Sequence, residues 1–202
     1  MLRLGLTGGI ASGKSAVAAM LREMGFAVLD ADSLAHQLIE PGEPAYDEVL
    51  REFGPSIADA HGRIDRAKLA ALVFADRVKL DRLNAIIHPR VAEIVFHQFD
   101  EWARQGTRDA AFVEAALLIE SGIHKHLDGL VIAWCRPEQQ LERLLARGLS
   151  ESEARRRIAA QMPVEEKLRH ATEKIDCSGS LEQTRQQVEA LAAKLRRTQA
   201  AR

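Results

Sequence analysis

Gly8, four further residues and then Gly13-Lys14-Ser15 follow the apolar run Leu2–Thr7. This is the spacing of a loop that wraps a phosphate. Such a loop points consecutive backbone N–H groups inward, and a Cβ at its tightest points would block the wrap. The helix that follows, from about Gly13 to Met24, aims its unpaired N–H groups and the positive end of its dipole at the same anion. Lys14 adds a mobile positive charge for the β- and γ-phosphates of a nucleoside triphosphate. The Ser15 hydroxyl suits Mg²⁺, an ion that keeps several waters and takes few protein ligands. Gly8, Gly9, Ile10, Ala11, Ser12, Gly13, Lys14, Ser15 and Ala16 are the expected ATP-binding residues.

Phosphoryl transfer also needs an acceptor, neutralisation of the γ-phosphate and a group to take the acceptor's proton. The candidates lie where other apolar runs end. Phe26–Leu29 reads as a buried strand and is followed by Asp30-Ala31-Asp32. Ligands of parallel α/β sheets bind outside the carboxyl ends of the strands, so both aspartates are expected on the edge that carries the loop. If Asp30 closes the strand, alternation points Asp30 and Asp32 the same way. Asp32 is then placed to take a proton from a hydroxyl. Its other reading is the N-cap of a helix over Ser33–Ile39. Asp109–Leu118 is a third strand candidate that runs on into Ile119–Gly122. Within it, Glu114 either holds Mg²⁺ through water or is a buried carboxylate paired with a base.

Arg143 and Arg147 lie four apart on one helical face, after a strand over Gly129–Cys135. A guanidinium is a fork matched to phosphate oxygens, so this region suits a helical lid. Arg155–Arg157, with acids close by, reads as a solvated face. His88 precedes Pro89, which can open a helix at its first position. The histidine is either catalytic or a structural hydrogen-bonding group.

These side chains need a frame. The strand pattern is interrupted from Ser33 to Gly106 by helical periodicity, with Asp65 and Asp76 as caps and Pro41-Gly42-Glu43-Pro44 as a break. Glu173–Cys177 is a fifth strand, and Ser180 with Gln183 caps a last helix whose stripe is Leu181, Val188, Leu191 and Leu195. The expected class is α/β: a P-loop core with a five-stranded parallel sheet, a helical substrate-binding insertion and a helical lid. The core takes residues 1–32, 107–142 and 173–202, the helical substrate domain 33–106, and the lid 143–172.

The 202 residues allow one core with such an insertion. A formal net charge of −1 supplies no field for nucleic acid or an anionic membrane. Cys135 and Cys177 lie far apart in apolar runs, without zinc or disulfide spacing, and read as reduced core thiols. With the first strand starting at Leu2 there is no room for a cleaved signal, and no apolar run is long enough to span a membrane. A cytoplasmic protein is expected. No N-K-x-D motif occurs and no D-x-x-G follows the third strand, which makes a GTP switch the poorer reading; a motor would be longer. A small-molecule kinase is the natural class. A nucleoside monophosphate kinase and a non-catalytic nucleotide-binding regulator are the alternatives.

Resemblance selects among them. Thr7–Ser15, Asp30-Ala31-Asp32 and His88-Pro89 together resemble the dephospho-CoA kinases. Ala116–Gly122 is similar to that family's P-L-L-F-E segment. The similarity continues through Gln140–Arg143, Arg147, Arg157–Pro163, Lys167 and Ile175–Gly179, nearly the whole chain in collinear order. It implies transfer of the γ-phosphate of ATP to the ribose 3′-hydroxyl of dephospho-CoA, with Mg²⁺ as the ion. It implies Asp32 as the base, Asp32 and His88 at the acceptor, Arg143 as the transition-state arginine and Arg147 as a second lid contact to the nucleotide. ATP and dephospho-CoA are the expected partners of a monomer or small homo-oligomer. The chain departs from the family pattern at Ala116, Thr172 and Cys177, where the family has proline, aspartate and asparagine.

Overall fold

The computed structural model describes residues 1–106 and 109–200, with backbone alone at Phe74 and 198–200. Residues 107–108 and 201–202, at the ends of the expected core segments, lie outside the described residues.

Five short runs form one sheet: β1 (Leu2–Thr7), β2 (Ala27–Asp30), β3 (Ala110–Glu114), β4 (Gly129–Trp134) and β5 (Glu173–Asp176). The order is β2-β3-β1-β4-β5 and every pairing is parallel. A parallel sheet is covered on both faces, which is why β3 is apolar throughout until Glu114 and is buried at every position. The first helices are α1 (Lys14–Glu23), α2 (Ala31–Gln37), α3 (Tyr46–Phe53), α4 (Arg66–Phe74) and α5 (Arg77–Gln105). α6 (Pro137–Ala146), α7 (Glu151–Ala159), α8 (Val164–Lys167) and α9 (Leu181–Ala200) follow.

The chain divides into two compact units, Met1–Asp30 with Phe99–Arg202, and Ala31–Gln98. In the first, Val17 and Leu21 of α1 and Val188, Leu191 and Leu195 of α9 join Leu4, Leu6, Phe112, Val131 and Ile175 of the sheet in one core. Each such side chain contributes about 1.5–3 kcal/mol by leaving water. Phe26 meets Phe112 edge to face at 5.7 Å. Ser180 and Gln183 form the expected reciprocal cap of α9: Ser180 N–H donates to Gln183 Oε1 and Gln183 N–H to Ser180 Oγ. In the second unit, Asp65 caps α4 by accepting from the N–H groups of Ala67 and Lys68. Arg90 pairs with Glu48 at 2.5 Å and Arg82 with Glu52 at 2.6 Å, tying α5 to α3.

Four local expectations are corrected. Pro89 does not open a helix; it lies inside the continuous α5. A proline there removes one backbone donor, and the Arg90 guanidinium supplies a donor nearby, reaching the Ile86 carbonyl at 2.5 Å. α2 begins at Ala31, so Asp32 sits in its first turn, neither as its N-cap nor in strand alternation with Asp30. β3 stops at Glu114 and does not run on to Leu118. β5 ends at Asp176, one residue before Cys177.

Candidate active site

The phosphate loop leaves the carboxyl end of the central strand β1 and closes on α1. Its glycines are required by space. A Cβ on Gly8 would lie 2.2 Å from the Ala133 carbonyl oxygen and 2.5 Å from Ser12 Oγ. Gly13 caps α1 in the left-handed region at φ +105, and a Cβ there would lie 2.8 Å from Cys177 Cβ. Ala11 also takes positive φ, at 57°, a strained choice for a residue with a side chain. Ser12 Oγ is buried and has no hydrogen-bond partner among the described residues. An unmet donor in a loop that precedes a helix N-terminus fits an anion as the missing partner.

Two carboxylates stand side by side at the strand ends, because Asp30 of β2 is in register with Glu114 of β3. Glu114 is buried, and its Oε1 accepts from Lys14 Nζ at 2.9 Å while Oε2 accepts from Arg22 at 3.3 Å. These contacts are the pairing with bases that one of its two expected readings describes. Lys14 is thereby anchored beside the loop it serves. Among the described residues no group of three His, Cys, Asp or Glu side chains could hold a metal. Ser15 stands in the first turn of α1, and a hydroxyl is a ligand of the kind taken by an ion that keeps several waters.

Two glutamines grip the loop at Ile10, and sequence reasoning gave neither a role. The Ile10 N–H donates to Gln161 Oε1 at 2.7 Å, and the Ile10 carbonyl accepts from Gln140 Nε2 at 3.0 Å. Gln140 is buried on α6. Its signal was available, as a polar residue four before Leu144 on an apolar stripe. Arg143, also on α6, donates from Nη1 to the Ala11 carbonyl (3.0 Å) and from Nη2 to the Cys177 carbonyl (2.7 Å). Its fork engages two carbonyls and braces the loop against the segment after β5. Arg155 and Arg157 instead pair with Glu151 and Glu153 one turn back on α7, at exposed positions.

A cavity of about 250 Å³ opens beside the loop, lined by Ala11, Gly13, Ala16, Arg143, Arg147, Cys177, Gly179, Leu181 and Thr184. Its lining mixes small apolar surfaces with two guanidiniums and a threonine. Cys177 presents a thiol here whose pKa burial pushes up to about 11, so it stays neutral. Thr172, the other departure nearby, joins β4 to the chain entering β5. Its Oγ1 accepts from the Leu130 N–H at 2.9 Å and donates to the Leu130 carbonyl at 3.1 Å.

Asp32 and His88 belong to the second unit. Asp32 follows the last residue of β2 by two positions. His88 is half-buried within α5, and burial holds its imidazole below the usual pKa. The folded chain therefore keeps it neutral, while the unfolded chain protonates near pH 6.5. Below that pH the unfolded state binds the extra proton, so stability is lost from about pH 6.5 downward until the folded pKa is passed. The melting temperature should fall across this acid window, and His88→Gln should remove part of the fall. An unchanged acid slope in that variant would assign the sensitivity to other groups.

Comparison with known proteins agrees with this geometry. The family model described as dephospho-CoA kinase matches residues 2–183. A dephospho-CoA kinase from Symbiobacterium thermophilum is 48% identical over 188 residues, covering 93% of this chain and 78% of that protein. The crystal structure of TT1252 from Thermus thermophilus superposes with a TM-score of 0.82 at 38% identity, over 96% of this chain and 97% of that one. The dephospho-CoA kinase from Campylobacter jejuni gives 0.71 at 26% identity, over 96% of each chain. By sequence, fold and the intact phosphate loop, the chain belongs to the dephospho-CoA kinase family.

Proposed function

We propose that this protein transfers the γ-phosphate of ATP to the ribose 3′-hydroxyl of dephospho-CoA, giving coenzyme A and ADP. The observation that carries this reading is the family match over residues 2–183, within which the loop, Lys14, Ser15 and Asp32 are all present. The 3′-oxygen attacks the γ-phosphorus, the bond to the β-phosphate oxygen breaks, and the hydroxyl proton passes to Asp32. The loop N–H groups and Lys14 hold the β- and γ-phosphates and offset the charge that develops on them. Mg²⁺ would be held by the Ser15 hydroxyl and the triphosphate, with Glu114 reached through water, and would neutralise phosphate charge. Arg147, which lines the cavity, is a contact for the nucleotide. Arg143 braces the loop through one N–H on each terminal nitrogen, and the guanidinium has five such donors, so a contact to the transferred phosphate is compatible with that brace. Asp32 and His88 serve the acceptor. The two free, buried cysteines support a cytoplasmic setting.

The test is mass spectrometry of the products after incubation with Mg-ATP and dephospho-CoA. Coenzyme A and ADP in equal amounts are expected. ADP released only with a different acceptor, such as a nucleoside monophosphate, would retain the kinase chemistry and overturn the acceptor.

A further inference from the structure

Lys167 closes α8 with no solvent exposure at all. An ammonium so far from water is costly unless protein groups replace its hydration. Two do. Lys167 Nζ donates to the Ala116 carbonyl at 2.8 Å and pairs with Glu120 Oε1 at 2.9 Å.

Both partners lead into the phosphate loop. The Ala116 carbonyl also accepts from Thr7 Oγ1 at 3.2 Å, and Thr7 is the residue before Gly8. Glu120 Oε1 also accepts from the Met162 N–H at 3.2 Å. The residue beside Met162 is Gln161, which holds the Ile10 N–H. One ammonium thus stands where two chains of contacts begin. One ends at the entry of the loop, the other at its third residue. The segment Gln161–Lys167 is fastened to the turn after β3 and to the loop together.

We propose that Lys167 is a positioning residue for phosphoryl transfer. It fixes the segment Ala116–Glu120, and through Thr7 and Gln161 that segment fixes the phosphate loop from both sides. The proposal rests on the reading that this loop holds the phosphates of ATP. Loop position matters because a displacement of about 1 Å at a reacting group costs up to about 100-fold in rate. A lysine that merely stabilised the fold would change melting temperature and leave turnover per folded site alone.

The experiment compares Lys167→Met, which keeps the length of the side chain and removes the charge, with Gln161→Ala and the double variant. Active sites are counted by binding of a fluorescent ATP analogue, and kcat is expressed per binding site. Lys167→Met should lower kcat by about 10- to 100-fold, with KM for dephospho-CoA within about twofold of wild type. Gln161→Ala should move kcat in the same direction. The double variant should fall less than the product of the two, because both act on one loop. Unchanged kcat in folded Lys167→Met, or strictly multiplicative effects, would overturn the proposal. Should Lys167→Met not fold, Glu120→Gln weakens the same link at a partly exposed position; wild-type kcat in both Glu120→Gln and Gln161→Ala overturns it equally. Wild-type protein that neither binds the ATP analogue nor makes coenzyme A would overturn the kinase reading itself, a separate result.

Discussion

Asp32→Asn is expected to bind ATP as the wild type does and to make coenzyme A about 10²- to 10⁴-fold more slowly, the usual contribution of a positioned base. The substitution keeps the size of the side chain and its capacity to hydrogen-bond. It removes the negative charge and with it the ability to accept the proton of the attacking hydroxyl. Asp32 lies in the first turn of α2, two residues beyond the end of β2. It comes from a different part of the chain from the loop that takes ATP, so nucleotide affinity and turnover should separate cleanly. Equilibrium binding of ATP and single-turnover formation of coenzyme A check both halves. Near-normal turnover would remove Asp32 as the base. Loss of ATP binding would assign it to the nucleotide side of the reaction.

Lys14→Ala should damage binding, turnover and stability together. Lys14 is only 14% exposed at its side chain and Glu114 5%, so the pair is nearly out of water. Removing the lysine leaves the Glu114 carboxylate with the more distant and nearly half-exposed Arg22. Breaking a buried pair from one side costs about 3–5 kcal/mol, a large share of the 5–15 kcal/mol that typically separates folded from unfolded domains. A fall in melting temperature on the order of 10 °C follows for a chain of this size. ATP affinity falls as well, because the charge facing the β- and γ-phosphates is gone. Adding Glu114→Gln separates the two effects: the double variant should regain most of the lost stability and none of the ATP binding. If Lys14→Ala melts as the wild type does, the ion pair does not stabilise the fold. If the double variant binds ATP normally, Lys14 is not a phosphate ligand.

The phosphate loop, the five strands and the helix caps were legible in the sequence because each is set by residues a few positions apart. Gly8 to Ser15 fix a local backbone path, apolar runs mark strands buried on both faces, and the Asp65, Asp76 and Ser180 side chains each accept from N–H groups two or three residues ahead. The resemblance extended this legibility to the family, since it rested on the order of such local motifs. The helical context of Asp32 and Pro89 was misjudged for a related reason. Propensity near a strand end or a proline is weak, and packing of the whole helix decided both.

Only the tertiary structure decided what the charged and amide side chains do. Glu114 meets Lys14 and Arg22, 100 and 92 residues away in sequence, only because the sheet brings them together. Arg143 has a fork suited to phosphate, and the fold also gives it the Ala11 and Cys177 carbonyls. Gln161 reaches Ile10 across 151 residues, and Lys167 reaches Ala116 across 51. A long polar side chain can point many ways from the same backbone, and no period or spacing encodes its direction. Its partner is chosen by which buried carbonyl or carboxylate would otherwise lack a donor, and that is settled only when distant segments pack.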